Sequence, residues 1–433
     1  MRPLSRQECS VGTLFADDFL DEFGTWPLAY IPTGGADFGE IAAVAKAVNG
    51  ASGDSGAAGD SGGDSDTAKS SAGVDAFYRE WMSAAARVAE QADDAMANGH
   101  HATARALHLR ASAFYASAYH PLYGDPVDQR LLTAFRAQVA QFDAGMAMWD
   151  APVRPMRIPF ENTTLPAYLI PAIGHETETR PLIIFTNGYD ATITDMYFAS
   201  AAYAVRRGYH ALLFDGPGQG ELLYEQRVHL RPDWETVVGA VIDVAVEQPI
   251  VDAQRIVLSG WSLGGHLAPR AASVEHRIAA LVADPALADV GAASTAMMIK
   301  MGVPPDQAAS IEDIDQGILD QMMQFIEASP AMRWSIVQRG FWVNGVSDLR
   351  AFLRKSAEFT LADRIGDIRC ATLVTRAQND QLAAGVQAFY DALTVQKTLL
   401  EFTAAEGAGD HCEMFNRSLL NGRVLDWLDD TLA

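Results

Sequence analysis

Three glycines and a serine within six residues, Gly260-Trp-Ser262-Leu-Gly264-Gly265, follow directly on the aliphatic run Arg255-Ile-Val-Leu-Ser259 and precede a helix-compatible stretch. A strand that turns at once into a helix needs a tight reversal, and glycines let backbone and helix approach there without a Cβ clash. The serine between them is exposed at the helix N-terminus, where partial positive charge favours a developing anion. G-x-S-x-G between a strand and a helix marks Ser262 as a nucleophile; out of that context it would be a glycine-rich turn and no more.

The rest of the chain supplies the context. From about Pro152, short aliphatic runs at 167–170, 182–185, 211–214, 255–259, 279–282 and 371–375 alternate with helical stretches. This alternation predicts an α/β fold with a mostly parallel sheet flanked by helices, carried by residues 152–285 and 361–433. Residues 286–360 are helical in period and rich in Met and aromatics, among them Met298, Met322, Met323, Phe325, Trp334, Phe341 and Trp342. That stretch is too long for a loop in a compact domain and reads as a cap insertion. Upstream, residues 74–151 carry three helical stripes. Phe77, Trp81, Ala85, Val88, Ala92 and Met96 form the first, and Ala104, Leu107, Ala111, Phe114 and Ala118 the second. Leu131, Phe135, Phe142, Met146 and Trp149 form the third, with Gln138 as its polar exception. They are expected to form a helical cap; a helical-repeat binding module is the competing reading. Residues 49–73 are nearly all Gly, Ser, Ala and Asp and are expected to be a flexible low-complexity loop. Residues 1–48 remain as an N-terminal segment.

Composition narrows the function. With 55 acidic against 32 basic residues the formal net charge is −23, which disfavours nucleic acid and anionic membranes as partners. Cys9, Cys370 and Cys412 lie far apart, so a disulfide framework is not expected. Met1 to Leu14 contains no apolar signal core, and no apolar run is long enough to span a bilayer. A cytoplasmic protein is the expectation. No histidine spacing suits a metal, so neither metal nor cofactor is expected, and a homodimer is left open.

A serine nucleophile needs a base, and the base an orienting carboxylate. In chain order Ser, acid, His, the base is His411, in the loop Gly407-Ala-Gly-Asp-His-Cys-Glu413 after the strand-like 398–402. The preferred acid is Asp380, in the turn after the strand-like 371–375. Asp284, just past 279–282, is the alternative. Asp410 adjoins the histidine too closely to reach Nδ1. His266, beside the serine turn, reads as a packing residue. The oxyanion hole is expected from the backbone N–H groups of Leu263 and Tyr189, the latter in Asn187-Gly-Tyr-Asp190 after 182–186. Asp190 is either a turn former or a polar group facing substrate.

Asp215-Gly-Pro-Gly-Gln-Gly-Glu221, with 260–265 and 407–413, resembles a helical-capped branch of the α/β-hydrolases. That branch contains dihydroxypseudooxynicotine hydrolase and the hydrolases that shorten polyketides in fungal pigment synthesis. The resemblance spans roughly residues 75–433; Asn187 stands where glycine is more usual. It implies an α/β-hydrolase fold and favours hydrolysis of a carbon–carbon bond next to a ketone, with ester or amide hydrolysis close behind. The expected substrate is a mid-sized apolar or aromatic small molecule with a carbonyl, enclosed by wall residues such as Met298, Trp334 and Trp342. The same triad would also serve an acyltransferase or cyclase of secondary metabolism. A binding protein on a hydrolase scaffold is the reading from another class.

Overall fold

The computed structural model describes residues 14–54, 65–300, 302–308, 310–361 and 363–433. It divides into two compact units, Met1–Arg154 with Tyr197–Ala199, and Pro155–Met196 with Ser200–Ala433. Among the described residues, no helix is long and apolar enough to cross a membrane.

The first unit is helical. The expected stripes lie on the helices Ser65–Ala97, His101–Ser117 and Gln129–Ala147. Phe77, Trp81, Ala85, Val88 and Ala92 are buried, while Met96, in the last turn, is 42% exposed. Gln138 is a buried polar residue with partners: its side-chain oxygen accepts from Tyr119 Oη at 2.8 Å, and its carbonyl accepts from Ser112 Oγ at 2.8 Å. The segment 49–73, expected as a loop, is helical at both ends. The helix Phe38–Asp54 runs through its start, and Ser65–Ala97 takes up its end. The residues between, 55–64, lie outside the described ones. Ile41, Val44 and Val48 anchor the first of these helices in the core, and once a helix is nucleated, further residues join at little cost.

The second unit is built on one eight-stranded sheet in the order β1-β2-β4-β3-β5-β6-β7-β8. The strands are β1 (Met156–Phe160), β2 (Thr163–Ile170), β3 (Arg180–Thr186), β4 (His210–Phe214), β5 (Val251–Trp261), β6 (Ile278–Asp284), β7 (Ala371–Ala377) and β8 (Lys397–Phe402). Pairs β1–β2 and β2–β4 are antiparallel; the others are parallel. In β3, β4 and β6 consecutive residues are buried, as parallel strands covered on both faces require. β1 has no counterpart in the sequence reading, because Pro159 argues against a strand. It pairs with β2 alone, and at an edge a residue without an N–H is tolerated.

The insertion 286–360 folds as short helices, among them Val290–Lys300, Gln316–Glu327 and Leu349–Ala357. It has its own apolar core, made by Met298, Val303, Ile314, Leu319, Met322, Ile326, Phe341, Leu349 and Leu353. Met298 therefore packs inside the insertion rather than on a substrate wall; it is 2% exposed. Phe325 points outward, half exposed. Met298→Ala should lower stability by about 2–5 kcal/mol, the usual cost of emptying a core site. Denaturant unfolding measures this; a loss well below that range would return Met298 to the substrate wall.

Candidate active site

Register within the sheet places the serine turn. Trp261, the last residue of β5, lies beside Asp284, the last of β6. The next residue, Ser262, has φ +56°, a left-handed backbone that side-chain-bearing residues avoid at a cost of about 1–3 kcal/mol. Its N–H donates to the Asp284 carbonyl at 2.7 Å, and the helix Gly264–Ala272 begins two residues on. A Cβ at Gly260 would lie 2.0 Å from the Gly264 carbonyl oxygen, so the strand end and the helix start can meet only over glycine.

The acid and histidine turns follow β7 and β8. Asn379 N–H donates to the Gly409 carbonyl at 2.7 Å, which ties the two turns together. His411 Nδ1 lies 2.7 Å from Asp380 Oδ2, and His411 Nε2 lies 3.0 Å from Ser262 Oγ. A carboxylate only accepts, so Nδ1 carries the proton and Nε2 is left to accept from the serine hydroxyl. Asp380 Oδ1 is held by Leu382 N–H at 2.9 Å. Burial pulls the His411 pKa down, but the hydrogen bond and charge of Asp380, with the charges of Asp284 and Asp190, carry it above the ordinary imidazole value. The structure thus brings Ser262, His411 and Asp380 into one hydrogen-bonded chain.

Asp284, the alternative acid, faces elsewhere. Its side chain accepts from Thr375 Oγ1 at 2.8 Å and from Arg417 Nη1 at 3.1 Å. His266 is buried, with Nδ1 2.9 Å from the Leu287 carbonyl, and burial takes its pKa down to about 4, so it is neutral and structural. Among the described residues no three of His, Cys, Asp and Glu gather as a metal ligand set.

The loop 187–190 lies against the serine. A Cβ at Gly188 would stand 2.8 Å from Leu263 N and 3.2 Å from Ser262 Oγ. Among the described residues, neither Leu263 N–H nor Tyr189 N–H donates to a backbone carbonyl. Gln219 braces the loop from below: its Nε2 donates to the Asn187 carbonyl at 2.9 Å and to the Gly188 carbonyl at 3.0 Å. The Asn187 side chain is buried and donates to Asp215 Oδ1 at 3.1 Å. Burial, then the charge of Asp195, pushes the Asp215 pKa well up. The motif 215–221 thus has a concrete task, and Asn187 fits because Asp215 receives its amide. The sequence reading assigned Gln219 no role, although it stands in the motif that carried the resemblance.

The insertion reaches the same loop. Its π-helical turn Trp334–Phe341 presents Arg339, which donates to Asp190 Oδ2 at 2.7 Å and to Ser335 Oγ at 2.8 Å. The guanidinium also lies over the Tyr189 ring at 5.1 Å and the Trp334 ring at 4.9 Å. Asn344 Nδ2 donates to Tyr189 Oη at 2.9 Å. Asp190 is therefore an ion-pair partner beside the histidine, and Trp334 belongs to the same group. Trp342 stacks on Tyr224 at 5.5 Å. Neither Arg339 nor Asn344 was among the sequence candidates.

Residues 183–419 match a family model described as the alpha/beta hydrolase family. A hydrolase of Fusarium sp, LUC6, is 29% identical, the match covering 97% of this chain and 97% of that one. The 20-hydroxy-prefusarin hydrolase FUS2 of Gibberella moniliformis is 28% identical over 97% of this chain and 98% of its own. The hydrolyase poxO of Penicillium oxalicum is 31% identical over 70% of this chain and 74% of its own. The crystal structure of 2,6-dihydroxy-pseudo-oxynicotine hydrolase shares the fold, with a TM-score of 0.64 at 21% identity, covering 82% of this chain and 89% of that one.

The closeness of Gly188 to the serine gives a direct test. Gly188→Ala should slow covalent labelling of Ser262 by a small fluorophosphonate by about 10²-fold, the usual effect of displacing an oxyanion donor. Circular dichroism should stay unchanged. Unaltered labelling would mean that this loop has no bearing on the serine.

Proposed function

The chain belongs to the α/β-hydrolase family, and we propose that it is a serine hydrolase in which Ser262 attacks the carbonyl carbon of a small organic substrate. His411 Nε2 takes the Ser262 proton as the Oγ–C bond forms. The backbone N–H groups of Leu263 and Tyr189 receive the negative charge that develops on the carbonyl oxygen. His411 then returns the proton to the departing carbon or oxygen as its bond to the carbonyl breaks, and water, deprotonated by His411, releases the acyl group from Ser262. Asp380 keeps the imidazole in the required tautomer and stabilises its protonated form. The observation that carries this reading is the continuous chain from Asp380 Oδ2 through His411 to Ser262 Oγ, at 2.7 and 3.0 Å. A binding protein has no use for that arrangement.

The substrate we infer is a mid-sized apolar or aromatic ketone or ester. Trp334, stacked under the Arg339 guanidinium, and the Asp190–Arg339 pair set an apolar ring beside polar groups at the edge of the oxyanion loop. A relative named as a hydrolase of 20-hydroxy-prefusarin supports a small organic substrate over a polypeptide.

Ser262→Ala should abolish turnover while the protein stays folded. Asp380→Asn should lower kcat by about 10⁴, and Asp284→Asn should not match it; the reverse order would reassign the acid. Because the His411 pKa is raised, its neutral form is lost already as pH falls through a value above the ordinary imidazole figure of about 6.5. The acid limb of kcat/KM should therefore have its midpoint above that figure, and a flat profile down to pH 5 would remove His411 from the role. Trp334→Ala should raise KM for aryl ketones and esters while sparing a short acetyl ester; equal effects on both would take Trp334 off the substrate path.

A further inference from the structure

Behind the Ser262–His411 contact lies a second set of ionisable groups to which the proposed reaction gives no task. Glu413, two residues after the histidine, is fully buried. Among the described residues no donor reaches either oxygen of its carboxyl. What it meets is the carboxyl of Asp284, which already accepts from Thr375 and Arg417. Two ionised carboxylates only accept and repel each other, so their contact becomes a hydrogen bond when one of them carries a proton. Asp284 already has the Thr375 and Arg417 donors and Glu413 has none, which leaves the proton to Glu413.

The backbone around Glu413 needs such a tie. Cys412 and Glu413 have φ of +53° and +49°, two consecutive left-handed residues with side chains, directly after the histidine. Conformations of this kind persist only when surrounding contacts hold them. Asp284 supplies contacts to both turns: its carbonyl accepts the Ser262 N–H at 2.7 Å and lies 3.5 Å from the Cys412 thiol. Burial raises the Cys412 pKa well above that of an ordinary thiol, so the S–H is kept to donate.

We propose that Glu413 is a neutral acid hydrogen-bonded to Asp284, and that this bond positions the His411 loop against the Ser262 turn. The inference rests on the reading of His411 as base. Glu413 is a positioning residue and touches no reacting atom. It faces Asp284 at the end of β6, Asp380 after β7 and Arg417 on the C-terminal helix Arg417–Thr431, with His411 and Cys412 on its own loop. Burial and the neighbouring carboxylates push its pKa well up, and Arg417 opposes them.

A carboxyl that keeps its proton when folded and loses it when unfolded makes the folded state bind one more proton. Its contribution to stability is full below the ordinary glutamate value and is lost as pH rises above it. Each such proton changes the folding constant by about tenfold per pH unit. Glu413→Gln keeps a neutral donor without the titration. Urea unfolding of the full chain at pH 5.5, 6.5 and 7.5 should therefore show the wild-type folding constant falling relative to Glu413→Gln as pH rises, by up to about tenfold per pH unit. Asp215, also buried, is common to both proteins and cancels. Glu413→Gln should keep kcat, whereas Glu413→Met, similar in volume but without the donor, should lose about 10²-fold in kcat with KM little changed. Equal pH slopes for wild type and Glu413→Gln, or wild-type kcat in Glu413→Met, would overturn the proposal. Should Glu413→Met not fold, the slope decides alone. Turnover that survives Ser262→Ala would instead sink the proposed reaction, and the slope would stand apart from it.

Discussion

One backbone hydrogen bond, from Ser262 N–H to the Asp284 carbonyl, governs how the catalytic half is arranged. It joins the ends of two neighbouring parallel strands and helps to keep a serine in a conformation that its side chain disfavours. The sheet then supplies the rest in order. β7 lies beside β6 and leads to Asp380; β8 lies beside β7 and leads to the loop of His411. The proposed nucleophile, acid and base thus leave the same edge of three strands, β5, β7 and β8, with β6 as the strut between the first two. Parallel sheets gather their functional groups at the carboxyl ends of strands for this reason.

Legibility in the sequence follows the distance over which each signal acts. The serine turn is a local pattern, glycines around a serine between strand and helix, and the histidine loop is another. The choice of Asp380 over Asp284 is different: both stand at the carboxyl end of a strand, and only strand order decides which one faces the histidine. β1 escaped notice because Pro159 is acceptable only at an edge, and an edge is a property of the sheet. Met298 and Trp342 carried the composition of a substrate wall, yet residues that pack inside the insertion, as Met298 does, or against the rest of the fold, as Trp342 does on Tyr224, have the same composition as a pocket lining. Gln219, Arg339 and Asn344 escaped because their partners lie far away in sequence: Gln219 binds a loop about thirty residues upstream, and the other two about one hundred and fifty. No local pattern encodes such pairings. The helical ends of the segment 49–73 were missed for the opposite reason, since its small polar residues carry no strong preference of their own and follow neighbours that are anchored in the core.

The loop 187–190 beside the serine is held from two sides by chemically distinct means. Below it, neutral amides of Gln219 and Asn187 make buried hydrogen bonds that water does not compete for. Above it, Arg339 makes a partly buried charged contact, supported by two aromatic faces. The first belongs to the sheet and the second to the insertion. Within the insertion, the apolar core is drawn from residues 298–353 alone. Mutations that reshape it draw on the insertion's own packing and leave the β3–β7 core intact, provided that Arg339 and Asn344 keep their grip on the loop. Descendants of such a chain can diversify what they accept while inheriting the bond-breaking apparatus unchanged.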